Sequence, residues 1–218
     1  MSDSLTTLIG KVQTLLLDDG TRFTTAIVTA AVRQALKEFN LHAPMHAGTL
    51  EAVVADQKEY VLSGTDYNNL IEILDVLLWD DDGDDYEPLS YDDYFEDVVP
   101  VIRLRSARTD ASEFLVVRYS LPYTVNGLDS AIESTLPAFF DPILLDGACY
   151  WSLQIRAVGR VETINLNQDV SDNLDQLKDT FKAAFEAGLE RAARRKPAVG
   201  EPDTRAWNDV WHDDAWGQ

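Results

Sequence analysis

Apolar residues recur at helical spacing near both ends of the chain and at strand-like spacing between them. Leu5, Leu8, Ile9, Val12, Leu15 and Leu16 share one helical face, with Asp3 or Ser4 available as N-cap. Asp18-Asp19-Gly20 predicts the stop, with glycine just past the end. Thr24 caps a second helix with the apolar face Ile27, Val28, Ala31, Val32, Ala35, Leu36 and Phe39, expected to end near Asn40 because Pro44 follows. The short link between the two helices implies an antiparallel pair.

From about Thr49 to Val125 the period changes. Leu50 to Val54 and Glu59 to Leu62 read as short strands in a hairpin around Asp56-Gln57. Leu70 to Trp79 is a longer apolar run, Asp80 to Asp85 a turn leading to Tyr86 to Leu89, and Tyr91 to Val98 a short helix. Val98 to Arg105 and Phe114 to Leu121 complete five or six strands, the spacing of a small antiparallel sandwich or barrel-like unit. Helical period then returns in two seams: Phe140, Leu144, Ala148, Trp151, Ile155 and Val158, then Leu174, Leu177, Phe181, Phe185, Gly188 and Ala192. Asp172 and Asp175 are expected at the start of the last helix and Arg191, Arg194, Arg195 and Lys196 at its end, where both signs complement the helix dipole. Pro197 stops it. The expected class is α+β: a helical bundle from residues 3–42 and 138–196, a β-rich, sandwich-like insertion over 49–125, and an extended arm over 198–218.

Charge narrows the choice of partners. The net charge of −20 keeps a subunit in solution and repels nucleic acid, whereas DNA binding needs a positive footprint. The sign suits a path that DNA slides along without being gripped, or a mimic that presents carboxylates in place of phosphates. Runs such as Leu15 to Leu17 and Ile143 to Leu145 are far too short to span a bilayer, and no membrane association is expected. Met1-Ser2-Asp3-Ser4 lacks the basic residues and apolar core of a signal peptide. Cys149 is the only cysteine, which rules out an intrachain disulfide and points to a reducing cytoplasm.

Candidate chemistry is sparse. An EF-hand loop aligned on Gly83 needs an acid at 78 and a glutamate at 89, where this chain has Leu78 and Leu89, so 80–85 reads as a solvated hairpin tip. His42 and His46 have zinc-ligand spacing, but Pro44 lies between them and they read as loop histidines. Cys149 sits in an apolar helical seam as a small hydrophobe. No nucleophile elbow, Walker loop or dinucleotide fingerprint appears. No enzyme activity, cofactor or metal is expected.

Two features point to binding. Arg191, Arg194 and Arg195 concentrate positive charge at a helix end, either as dipole complement or as a docking patch for an acidic neighbour. The segment after Pro197 carries Trp207, Trp211 and Trp216, an unusual aromatic content for a stretch with no apolar period. They read as interface anchors or as a clasp on the chain's own bundle.

The order of elements resembles the head-to-tail adaptor, or connector, proteins of tailed phages. The elements are Leu36-Lys37-Glu38-Phe39-Asn40 closing the second helix, Gln57-Lys58-Glu59-Tyr60-Val61-Leu62 opening the β insertion, and Tyr119-Ser120-Leu121-Pro122 closing it. Leu136-Pro137 then precedes a helix containing Gly147-Ala148-Cys149-Tyr150, and a long charged helix follows. The resemblance implies a homo-oligomeric ring, usually dodecameric, beneath the portal protein in the virion neck, assembled in the host cytoplasm. DNA would pass through its lumen without sequence-specific binding, a tail or stopper component would join it, and the C-terminal arm would reach portal or neighbouring subunits. An acidic DNA mimic that inhibits a DNA-handling enzyme is the competing expectation.

Overall fold

The computed structural model describes residues 2–18, 20–62, 67, 69–79, 86–96, 99–108, 113–160 and 168–194. The elements described are α1 (Leu5–Leu15), α2 (Thr25–His42), β1 (Met45–Ala52), β2 (Glu59–Val61), β3 (Glu72–Trp79), β4 (Tyr86–Pro88), β5 (Tyr91–Glu96), β6 (Val99–Leu104), β7 (Phe114–Leu121), α3 (Asp141–Arg160) and α4 (Gln168–Ala193). The class is α+β, as the sequence predicts.

Local chemistry sets the helix ends. The Ser4 hydroxyl accepts the Thr7 N–H and caps α1, while Asp3 pairs with Lys11 and donates its own N–H to the Asp141 carboxylate at the start of α3. Past the end of α1 the left-handed residue is Leu17, φ 51°, not a glycine; Gly20, φ 89°, serves the following turn. There the Asp18 carboxylate accepts the N–H groups of Gly20, Arg22 and Phe23. Thr24 caps α2 as expected, but the helix runs on to His42, because only Ala43, the residue directly before Pro44, is barred from it.

Residues from both halves of the chain share one helical core: Leu8 and Val12, Val28, Val32 and Phe39, Leu144, Ala148 and Cys149, Phe185 and Leu189. Val125, Leu128 and Leu136, which follow the last strand, belong to it too. Helix α3 is central, and Gly147 lets its neighbours close in. A Cβ there would lie 2.7 Å from a Phe185 ring carbon and 2.9 Å from the Ala35 Cβ. Gly188 plays the same part for α4, where a Cβ would lie 2.8 Å from Ile143. Two expectations for α4 change. It begins at Gln168, so Asp172 and Asp175 lie inside it rather than at its start, and Leu177 is exposed rather than part of the seam.

The strands form a four-stranded sheet, β1-β7-β3-β4, and a three-stranded sheet, β2-β6-β5, with every described pairing antiparallel. A second core joins them through Tyr60, Val76, Leu78, Ile102, Leu104, Leu115, Val117 and Tyr119. The expected β1–β2 hairpin does not form. The chain does turn at Asp56, φ 62°, but β1 pairs with β7 in one sheet and β2 with β6 in the other, so the turn is a corner between sheets. The helix expected over 91–98 is replaced by strand β5 over Tyr91–Glu96, where β6 offers an in-register partner from Tyr91↔Leu104 to Glu96↔Val99; residues 97–98 lie outside the described residues. The strands run from Met45 to Leu121, starting earlier and ending earlier than the 49–125 expected.

Both passages between the two cores are tied down. Met45 pairs with Leu121, and the Asn40 side chain bonds both backbone groups of Tyr123, at 2.8 and 3.1 Å. Phe39 packs on Phe140 at 4.9 Å and on Tyr123 at 5.8 Å.

Candidate partner-binding surfaces

Helix α4 brings the basic residues to its last turn, next to the N-terminal end of α3. Arg191 donates through Nε to the Ala187 carbonyl at 3.2 Å, and its charge acts on Asp146 of α3. Burial pushes the Asp146 carboxyl up, more strongly than Arg191 pulls it down. Arg194 reaches Glu190 at 3.5 Å in a fully solvated pair of little energetic weight. Arg191 and Arg194 therefore both have intrahelical partners, and both remain exposed. Arg195, Trp207, Trp211 and Trp216 lie outside the described residues, as does the acidic stretch 80–85.

The β unit carries a surface that the sequence reading missed. Opposing residues on antiparallel strands share a face. The face of the four-stranded sheet turned away from the β core carries Leu77 opposite Val116, Trp79 opposite Phe114, and Leu50 opposite Val116. Leu77 and Val116 are buried, the Trp79 and Phe114 rings lie 5.6 Å apart, and Leu50 is 44% exposed. The outer face is apolar at this end only, since His46, Asp75, Arg118 and Ser120 share that face toward the other end. The signal was available in Val76-Leu77-Leu78-Trp79, a run without polar alternation. The other sheet ends in β5, whose Asp92, Asp93, Tyr94, Phe95 and Glu96 are all exposed; charged side chains of this kind blunt an open strand edge.

A groove of about 630 Å³ lies where the two cores meet. Arg33, Leu36, Lys37 and Leu41 of α2 form one wall, Ile71 before β3 a second, and residues 122–125 and 128–131 the third. Leu41 is 69% exposed and Ile71 39%. Arg33 holds Asp129 through a bidentate pair that keeps that carboxyl below its usual range, whereas Lys37 makes no ion pair with a described residue.

The remaining candidates lie within regular elements. His42 closes α2 and His46 lies in β1, so neither is a loop residue as expected. Cys149 is fully buried, and desolvation, with the Asp146 charge, pushes its thiol up to about 12, which leaves almost no thiolate at neutral pH. Arg156 of α3 was not singled out from sequence. It donates to the Arg22 carbonyl and lies over the Phe23 ring at 5.3 Å. Nearby, desolvation raises Asp18, but three backbone N–H groups and the Arg156 charge together hold its carboxyl below the usual value. Among the described residues no group of three or more His, Cys, Asp or Glu could hold a metal ion, and no helix is long and apolar enough to cross a membrane.

No family model matches the chain, and no curated protein matches it. Among solved structures, a chain of the "Neck of empty GTA particle computed with C6 symmetry" is similar over 73% of this chain and 79% of that chain, at 10% identity and a TM-score of 0.30. A likeness of that score assigns no function.

Proposed function

We propose that this chain is a structural, non-catalytic subunit of a tailed-phage neck, a head-to-tail adaptor that forms a ring beneath the portal and receives a tail or stopper component. The observation that carries this reading is the helical core assembled from both ends of the chain around a two-sheet insertion, the order of elements on which the resemblance to adaptors rests. The motifs of that resemblance have structural work in this chain. Gly147 sets the crossing of α2, α3 and α4, and Asn40 fastens the segment leaving β7 to α2. In this reading the bundles pack side by side around the ring, while the Trp-bearing arm and the basic end of α4 reach the portal or a neighbour. The acidic balance keeps free subunits apart and lets DNA pass.

The test is negative-stain microscopy of the protein mixed with the portal of its own virion. The expected result is a closed ring on the portal, favoured by added salt because like-charged subunits must approach. The acidic-mimic reading draws on the exposed carboxylates of β5 and the charge of −20. A small oligomer that ignores the portal and competes with DNA for a DNA-handling enzyme would replace the adaptor reading with that one.

A further inference from the structure

The groove between the two cores calls for an apolar occupant with some negative charge. Leu41 and Ile71 present exposed apolar surface at its edge, Lys37 stands there without an ion-pair partner among the described residues, and Arg33 stands beside it. On a chain of net charge −20, a wall with two cations and one acid, Asp129, is locally the opposite of the average surface. Its volume, about 630 Å³, lies within the range of roughly 300–1,000 Å³ in which pockets take small-molecule-sized groups such as an indole.

One segment of the same chain has the matching chemistry. Residues 198–218 carry Trp207, Trp211 and Trp216 among Glu201, Asp203, Asp209, Asp213 and Asp214, with Arg205 the single Lys or Arg in the stretch. Its point of departure is also close. The last turn of α4 packs on the start of α3, with Gly188 against Ile143 and Arg191 acting on Asp146. The start of α3 in turn follows Phe140, whose ring meets that of Tyr123 at 6.3 Å, and Tyr123 lines the groove. The path from Arg194 to the groove is therefore about two helix widths, each roughly 10 Å. The thirteen residues from Arg194 to Trp207 span up to about 40 Å at about 3.3 Å per residue.

We infer that in the free chain the groove is occupied by the chain's own C-terminal segment, with Trp207 and Trp211 on the apolar wall of Leu41 and Ile71 and the flanking carboxylates near Lys37 and Arg33. The inference concerns the unassembled subunit and stands apart from the neck reading, in which the same segment reaches a partner. A subunit that failed to clasp its tail could still build a ring, and one that clasped it could still fail to.

The experiment uses the full chain, with hydrogen exchange read by mass spectrometry over residues 204–216 and light scattering alongside. Leu41→Glu and Lys37→Glu change exposed side chains, and circular dichroism checks that the helices remain. The segment should be protected in the unaltered chain, with each groove variant accelerating its exchange about tenfold, as loss of a local closed state does. Trp207→Ala with Trp211→Ala should reproduce the loss from the other side. Protection should be independent of protein concentration over about a hundredfold range, since a contact within one chain does not follow mass action. Full exchange at the earliest time in the unaltered chain overturns the inference, as does protection that Leu41→Glu and Lys37→Glu leave intact. Protection that grows with concentration together with a dimeric mass also overturns it, because the occupant is then a second copy's segment.

Discussion

The helical core and the β unit solve the problem of burial differently. The helices close around α3, whose neighbours sit so near that Gly147 and Gly188 have no room for a methyl group. Its core draws on residues more than a hundred positions apart, from Leu8 to Leu189. The β unit buries one shared interior but leaves, among the described residues, the charged β5 edge and exposed apolar groups such as Leu50, at 44%, and Phe95, at 58%. A module packed on all sides can hold a position, and a module with apolar surface to spare can meet something else.

The sharpest way to break that comparison is to excise the insertion. Met45 and Leu121 are paired neighbours, so a short Gly-Ser bridge from Ala43 to Pro122 spans the gap without strain. The product should be helical and melt in one cooperative calorimetric transition, because its core residues all lie outside the excised stretch. A molten product that binds hydrophobic dyes would mean that the bundle depends on the sheets.

A smaller effect sharpens the contrast. Leu144→Ala empties a fully buried site in the helical core and Leu115→Ala one in the β core, each expected to cost about 2–5 kcal/mol. If the cores melt separately, far-ultraviolet dichroism should show the first change lowering the helical transition alone and the second the strand transition alone. A single transition shifted equally by both would show that they unfold as one.

The smallest effect concerns Asp146. Its folded pKa is raised above the ordinary value of 3.8, so the folded state binds the proton more tightly than the unfolded one and stability falls as pH rises through that window. At neutral pH the ionised group is a net cost. Asp146→Asn should therefore raise the melting temperature slightly at pH 7, and the difference should shrink toward zero below pH 3.8. A lower melting temperature at pH 7 would show that the Arg191 interaction outweighs burial.

What could be read from the sequence was what lies within a few residues. The Ser4 and Thr24 caps, the seam of α2 and the bounds of β7 follow from short-range period and capping chemistry, whereas the seam read for α3 missed the buried Leu153 and included Ile155, which is only half-buried. Pairing was not legible. Leu50 to Val54 and Glu59 to Leu62 look like hairpin arms because they are adjacent, yet their paired residues lie forty or more positions away. Tyr91, Tyr94, Phe95 and Val98 have helical spacing, and only the presence of β6 turns that stretch into a strand. The groove was invisible for the same reason: Lys37, Ile71 and Asp129 come from three separate segments. The anchors expected at Trp207, Trp211 and Trp216 lie outside the described residues and rest on composition alone.

The paired exit at Met45 and Leu121 has a mechanical consequence. The insertion hangs from the bundle by two backbone passages that lie side by side, while the outer helices of both halves belong to the bundle. Tension applied from Ser2 to Arg194 is therefore carried first by the contacts among the helices, and the sheets form a slack loop outside the load path. A pull along that line would reach the insertion only after the helices had parted.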